Sequence, residues 1–153
     1  MSIGASRRAV LCAAIAAGLL IATFQASAQA ADPHRLALQI SDDDPVKMRA
    51  VLDVAANVSR HYSGQGDDVE IVVVAFNGGL DMLLDDRSPV KERLLNFLKS
   101  MPNVSFIACG NTLETLAAKE GRRPPLIAGI IVTQVGVAAL MDLAEKNWTI
   151  VRP

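Results

Sequence analysis

Hydrophobic and polar positions along the chain change period repeatedly, and each change marks an element. Residues 34–40 alternate, with Leu36, Leu38 and Ile40 on one side, which predicts a strand. Ser41-Asp42-Asp43-Asp44-Pro45 follows. Asp44 is placed to cap a helix and Pro45 to occupy its first position, where a missing N–H costs nothing. Met48, Val51, Leu52, Ala55, Val58 and Tyr62 then recur at helical spacing, and Gly64 closes the helix. After a polar turn, residues 69–76 form a near-continuous apolar run, the pattern of a central parallel strand covered on both faces. It leaves through Asn77-Gly78-Gly79-Leu80. A second helix is expected from Ser88-Pro89, with Leu94, Phe97 and Leu98 on its apolar face and a stop at Pro102-Asn103.

The next stretch, Val104-Ser105-Phe106-Ile107-Ala108-Cys109-Gly110-Asn111-Thr112-Leu113-Glu114, reads as a buried strand running through a cysteine and a glycine into a helix. Asn111 is expected to cap that helix, with Glu114 reaching back to it. Cys109 then lies where open N–H groups and the positive dipole end favour an anion. The helix should end near Gly121, before the charged connector Arg122-Arg123-Pro124-Pro125. Residues 129–135 predict a fourth strand. Val137, Leu140, Met141 and Ala144 predict a fourth helix, with Asn147 at its end, and residues 148–151 a last short strand. Strands alternating with helices at this spacing mean βαβ units, hence an α/β domain with a parallel sheet between helical layers. Ligands of such sheets gather beyond the carboxyl ends of the strands. The candidate catalytic group there is Cys109, and the candidate ligand-binding residues are Asn77, Gly78, Gly79, Gly110, Asn111, Thr133 and Gln134.

The first thirty residues follow a different logic. Arg7-Arg8 precede an apolar run over residues 9–24, and Ala26-Ser27-Ala28-Gln29-Ala30 supplies a small-residue cleavage context. That combination predicts an export signal over residues 1–30, a mature domain over 31–153, and a periplasmic or secreted location. The run is short, and no stop-transfer pattern follows it, so no stable membrane span is expected after cleavage. The paired arginines suit a general secretory or a twin-arginine route. Of the two cysteines, Cys12 leaves with the signal and Cys109 remains. A lone thiol cannot close a disulfide within the chain, so it is either a buried filler or a reagent.

Composition removes several other classes of function. The chain has 15 Lys and Arg against 16 Asp and Glu, and loss of Arg7 and Arg8 takes the balance to about −3. Mild acidity without a basic block argues against nucleic acid as a partner. The three carboxylates Asp42, Asp43 and Asp44 invite a metal, but a helix start with acids near its positive end explains them. His34 and His61 have no cysteine or carboxylate at ligand spacing. Neither phosphate-loop glycine pattern occurs, the Gly-x-Ser-x-Gly elbow is missing, and no cofactor is expected.

Five stretches together resemble the DsrE/DsrF-like (DsrEFH-like) sulfur-relay family, in its exported single-domain branch. They are residues 72–80 (VVVAFNGGL), Ser88-Pro89-Val90, residues 104–113 (VSFIACGNTL), and Gly136-Val137-Ala138 with the ending 148–153 (WTIVRP). The resemblance covers about residues 34–153. It implies a five-stranded parallel sheet in a three-layer α/β/α sandwich, assembled as trimers or hexamers. It also implies that Cys109 carries a persulfide between a sulfur donor and an acceptor protein. Where relatives often read His-Gly-Pro-Gly-Leu, this chain reads Phe76-Asn77-Gly78-Gly79-Leu80, so an acid/base imidazole is missing there. Relay members also act in the cytoplasm, whereas export is expected here. The alternative from another class is a non-catalytic oligomeric module that binds a small anion or a partner protein.

Overall fold

The computed structural model describes residues 32–153, and the export signal expected over residues 1–30 lies outside the described residues. Five strands form one sheet: β1 (His34–Ile40), β2 (Val69–Ala75), β3 (Val104–Cys109), β4 (Ile131–Thr133) and β5 (Thr149–Val151). Their order across the sheet is β4-β3-β2-β1-β5, and every pairing is parallel. Helices α1 (Pro45–Ser63), α2 (Lys91–Ser100), α3 (Gly110–Glu120) and α4 (Gly136–Glu145) connect them, with a 3₁₀ segment at Asn77–Leu83 after β2.

The chain steps strand by strand from β1 to β4 and then returns across the sheet to β5. The three forward connections bury α1, α2 and the inner side of α3 on one face. Met48, Val51 and Leu52 of α1, Leu94 and Phe97 of α2 and Leu113 of α3 pack there against Leu38, Ile40, Ile71, Val73 and Phe106. The return connection lays α4 on the opposite face, where Leu140 meets Ala37, Val72 and Val74. This makes three layers, as the strand–helix alternation predicts. Odd-numbered positions of β3 follow Ser105 and Ile107 onto the α4 side, and this brings Cys109 beneath the start of α4.

Several boundaries differ from the sequence expectations. Pro45 does open α1, and the Asp44 carboxylate accepts the Val46 N–H at 2.7 Å. The α2 helix begins at Lys91 rather than at Ser88-Pro89. Ser88 instead anchors the turn before it, donating to the Met82 carbonyl at 2.6 Å and accepting the Val90 N–H at 3.3 Å. The fourth strand is three residues long, because Gly129 sits at φ +92° in a turn that ends only at Ile130. Helix α3 starts at Gly110 with Cys109 as its N-cap residue, so Asn111 is not the cap. The expected Asn111–Glu114 capping box is replaced by bonds that both side chains accept from the Gln134 amide.

The glycine pair after β2 has a packing reason. A Cβ on Gly79 would lie 2.6 Å from the Ile40 carbonyl carbon and 2.8 Å from the Ser41 nitrogen, both backbone atoms that cannot swing aside. Gly79 therefore lets the 3₁₀ segment seat against the end of β1. Gly79→Ala is expected to cost about 3 kcal/mol, read as a lower urea midpoint at unchanged slope. An unchanged midpoint would mean that this approach is not tight.

Candidate functional site

Three strand ends meet at one edge of the sheet. Ala75 pairs with Ala108, and Cys109 pairs with Thr133, so the chain leaves β2, β3 and β4 at nearly the same level. The 3₁₀ segment, the first turn of α3 and the loop into α4 then surround the Cys109 side chain. Asn77 adopts φ +49°, a conformation that asparagine tolerates better than most residues, and its N–H donates to the Thr112 hydroxyl at 3.1 Å. That bond ties the β2 exit to α3. Across the site, a Cβ on Gly110 would come within 3.1 Å of the Gln134 Cα, so Gly110 lets α3 approach the loop into α4.

Cys109 is 6 % exposed, yet its residue lines a pocket of about 620 Å³. Phe76, Leu116, Val135 and Val137 give that pocket apolar walls, and Asn77, Gly78 and Asn111 also line it. The Gly136 N–H donates to Cys109 Sγ at 3.3 Å, and Sγ lies 3.7 Å from the Gln134 carbonyl oxygen, within reach for an S–H donor. Burial pushes the thiol up, but the Gly136 N–H, the Thr112 hydroxyl and the N–H groups of Thr112 and Asn111 outweigh it. The net result is a thiol more acidic than an ordinary cysteine. The Thr112 hydroxyl accepts from Asn77, which leaves its own hydrogen free to face the sulfur.

Charged groups also line the pocket: Asp43, Asp81, Arg87 and Lys119. Arg87 is held by Glu120 through two bonds of 2.7 and 2.8 Å, which raise its pKa and engage its charge. Desolvation lifts the Asp81 carboxyl above the usual carboxylate range, against the pull of Arg87. The three neighbouring carboxylates do separate work. Asp42 binds Arg152 at 2.8 Å and Lys47 at 3.1 Å, Asp44 caps α1, and Asp43 faces the pocket. Among the described residues, no group of three His, Cys, Asp or Glu side chains could hold a metal ion.

The candidates picked from the sequence divide into two sets. Cys109, Asn77, Gly78 and Asn111 line one pocket. Gly79 and Gly110 are buried spacers that let backbones approach, while Thr133 pairs with Cys109 in the sheet and Gln134 bonds to α3. Sequence reasoning missed Thr112, Gly136, Asp43, Asp81 and Lys119. Gly136 was within reach of the strand-end rule, being three residues beyond Thr133. No spacing in the sequence announces Asp81 or Lys119, because they meet only through the packing of the 3₁₀ segment against α3.

These features define an α/β/α domain with a thiol pocket at the carboxyl edge of a parallel sheet. No family model and no curated protein matches the chain. Among solved structures it is similar to MTH1491 from Methanobacterium thermoautotrophicum, a protein of unknown function. The two share 25% identity and a TM-score of 0.66, over 78% of this chain and 99% of that one. The likeness supports the three-layer fold.

The hydrogen bonds on the sulfur lead to a measurable consequence. The rate of iodoacetamide alkylation of the native protein, followed against pH, should rise with a midpoint below the roughly 8.5 of a free cysteine. A midpoint at or above that value would mean that burial wins.

Proposed function

We propose that Cys109 is a nucleophilic thiolate that accepts sulfane sulfur from a donor persulfide and passes it to an acceptor thiol. The observation that carries this reading is the Gly136 N–H on Sγ beside a pocket wide enough for an incoming sulfur compound. In the loading step the Cys109 thiolate attacks the outer sulfur of the donor. A new S–S bond forms on Cys109, the donor's own S–S bond breaks, and its electron pair leaves on the donor sulfur as a thiolate. Unloading is the same exchange, with an acceptor thiolate attacking the outer sulfur and Cys109 departing as thiolate. Neither step changes the overall oxidation level or needs a cofactor. The resemblance of residues 104–113 to the relay family supports the same chemistry.

The persulfide reading is tested by intact mass. After exposure to polysulfide and removal of excess, the wild-type mature protein should gain the mass of one sulfur atom or more, reversibly with dithiothreitol. Cys109→Ser should gain none while keeping its circular dichroism spectrum. An unmodified wild type would sink the carrier reading and favour the binding module, and a wild type that labels only after denaturation would do the same.

The working unit in this reading is a homo-oligomer. Ile131, Val132, Val135, Val137 and Met141 are exposed along β4 and α4, with Met141 at 61 %. β4 is also an edge strand, whose free backbone groups and apolar side chains suit a second copy of the chain. Light scattering should give a multiple of the protomer mass for the mature wild type and the protomer mass for Val137→Lys combined with Met141→Lys. A monomeric wild type would remove this part of the proposal.

A further inference from the structure

We propose that Gln134 is a positioning residue for Cys109: it fastens the loop between β4 and α4 to the first turn of α3 and so keeps the Gly136 N–H on the sulfur. This rests on the reading of Cys109 as a working thiol. Gln134 is exposed, yet its side-chain amide donates to Asn111 Oδ1 at 2.7 Å and to Glu114 Oε1 at 3.0 Å. Its backbone carbonyl accepts the Asn111 N–H at 3.0 Å and faces Cys109 Sγ at 3.7 Å. One residue thus makes three bonds to α3, and the one to Glu114 is charge-assisted.

Only Gln134 and Val135 separate the end of β4 from the start of α4. Val135 is an exposed apolar residue whose side chain can form no hydrogen bond. The amide of Gln134 is therefore the side-chain fastening of a very short loop, two residues before the N–H that meets the sulfur. Carbonyl and N–H from this loop also serve opposite protonation states. The S–H form can donate to the Gln134 carbonyl, whereas the thiolate loses that bond and depends on Gly136. A loop released from α3 would withdraw the Gly136 donor while the cost of burying the thiolate stayed.

The charged groups facing the thiol pocket are Asp43 before α1, Asp81 and Arg87 between β2 and α2, and Lys119 on α3, with Glu114 bound in the clamp itself. None of them changes in Gln134→Met, which keeps the length of the side chain and removes its donors. The pH profile of iodoacetamide alkylation should then shift upward by about one unit, with a rate at pH 7 roughly 5- to 10-fold below wild type. Gln134→Glu, which sets a carboxylate against Glu114, should shift it further. Asn111→Leu removes one of the two acceptors and leaves the Glu114 bond, so it should shift the profile in the same direction by less than Gln134→Met. The thermal midpoints should stay within a few degrees of wild type, since the clamp is on the surface. Profiles for all three variants that superimpose on the wild type would overturn the clamp while leaving a reactive Cys109 in place. A wild type that cannot be alkylated in its native state would overturn the thiol reading and the clamp with it.

Discussion

The parallel register between β3 and its two neighbours governs the site. Because Ala75 lies opposite Ala108 and Cys109 opposite Thr133, three connections leave the sheet side by side and must share the space above it. The available room is set by glycine. Gly79 admits the 3₁₀ segment against the end of β1, Gly110 admits α3 against the loop from β4, and Gly136 admits α4 against Cys109, where a Cβ would meet the cysteine Cβ at 3.1 Å. A side chain at any of the three would push one connection outward and open the sulfur to a different set of neighbours. The register thus fixes which groups can meet, and the missing side chains fix how closely.

That closeness decides the contest between burial and hydrogen bonding at the sulfur. Burial alone disfavours a thiolate, and a cysteine with only apolar neighbours would be an inert small hydrophobe. Here the end of a strand coincides with the start of a helix, and Cys109 is both the last residue of β3 and the N-cap of α3. Its surroundings therefore contain N–H groups that no preceding turn has consumed. Gly136 adds a donor from a second helix start, and Thr112 adds a hydroxyl whose acceptor side is already occupied by Asn77. The thiol is drawn below its ordinary value by the sum of these contacts, with no single one sufficient against the cost of burial.

Much of the fold was readable from the chain because local signals and long-range packing agree. The alternation over residues 34–40, the apolar run from Val69 and the Asp44-Pro45 helix start each reappear as β1, β2 and α1. Boundaries failed where tertiary geometry overrode a local signal. Asn111 and Glu114 have the spacing of a capping pair, but both are turned to the Gln134 amide, because β4 delivers that amide within 3.0 Å of each. Ser88-Pro89 has the look of a helix start, but the Ser88 hydroxyl is taken by the Met82 carbonyl. The strand-end rule located Cys109 and Asn77 correctly at one edge. It could not supply the polar groups of the pocket wall, since Asp81 and Lys119 come from elements whose mutual packing no short motif encodes.

Among the described residues, no histidine lines the thiol pocket, and Phe76 stands in its wall. A histidine near a cysteine supplies a charge only while it is protonated, so the acidity it confers varies over roughly pH 5 to 8. Backbone N–H groups do not titrate in that range, and the N–H that meets Sγ, from Gly136, is one of them. Phe76 in the pocket wall contributes apolar surface and no charge. The hydrogen-bonding part of the thiol's acidity therefore comes from groups with no proton to lose over that range. The Gly136 N–H comes at the end of the short connection between β4 and α4, so the position of that connection bears on the acidity of the sulfur.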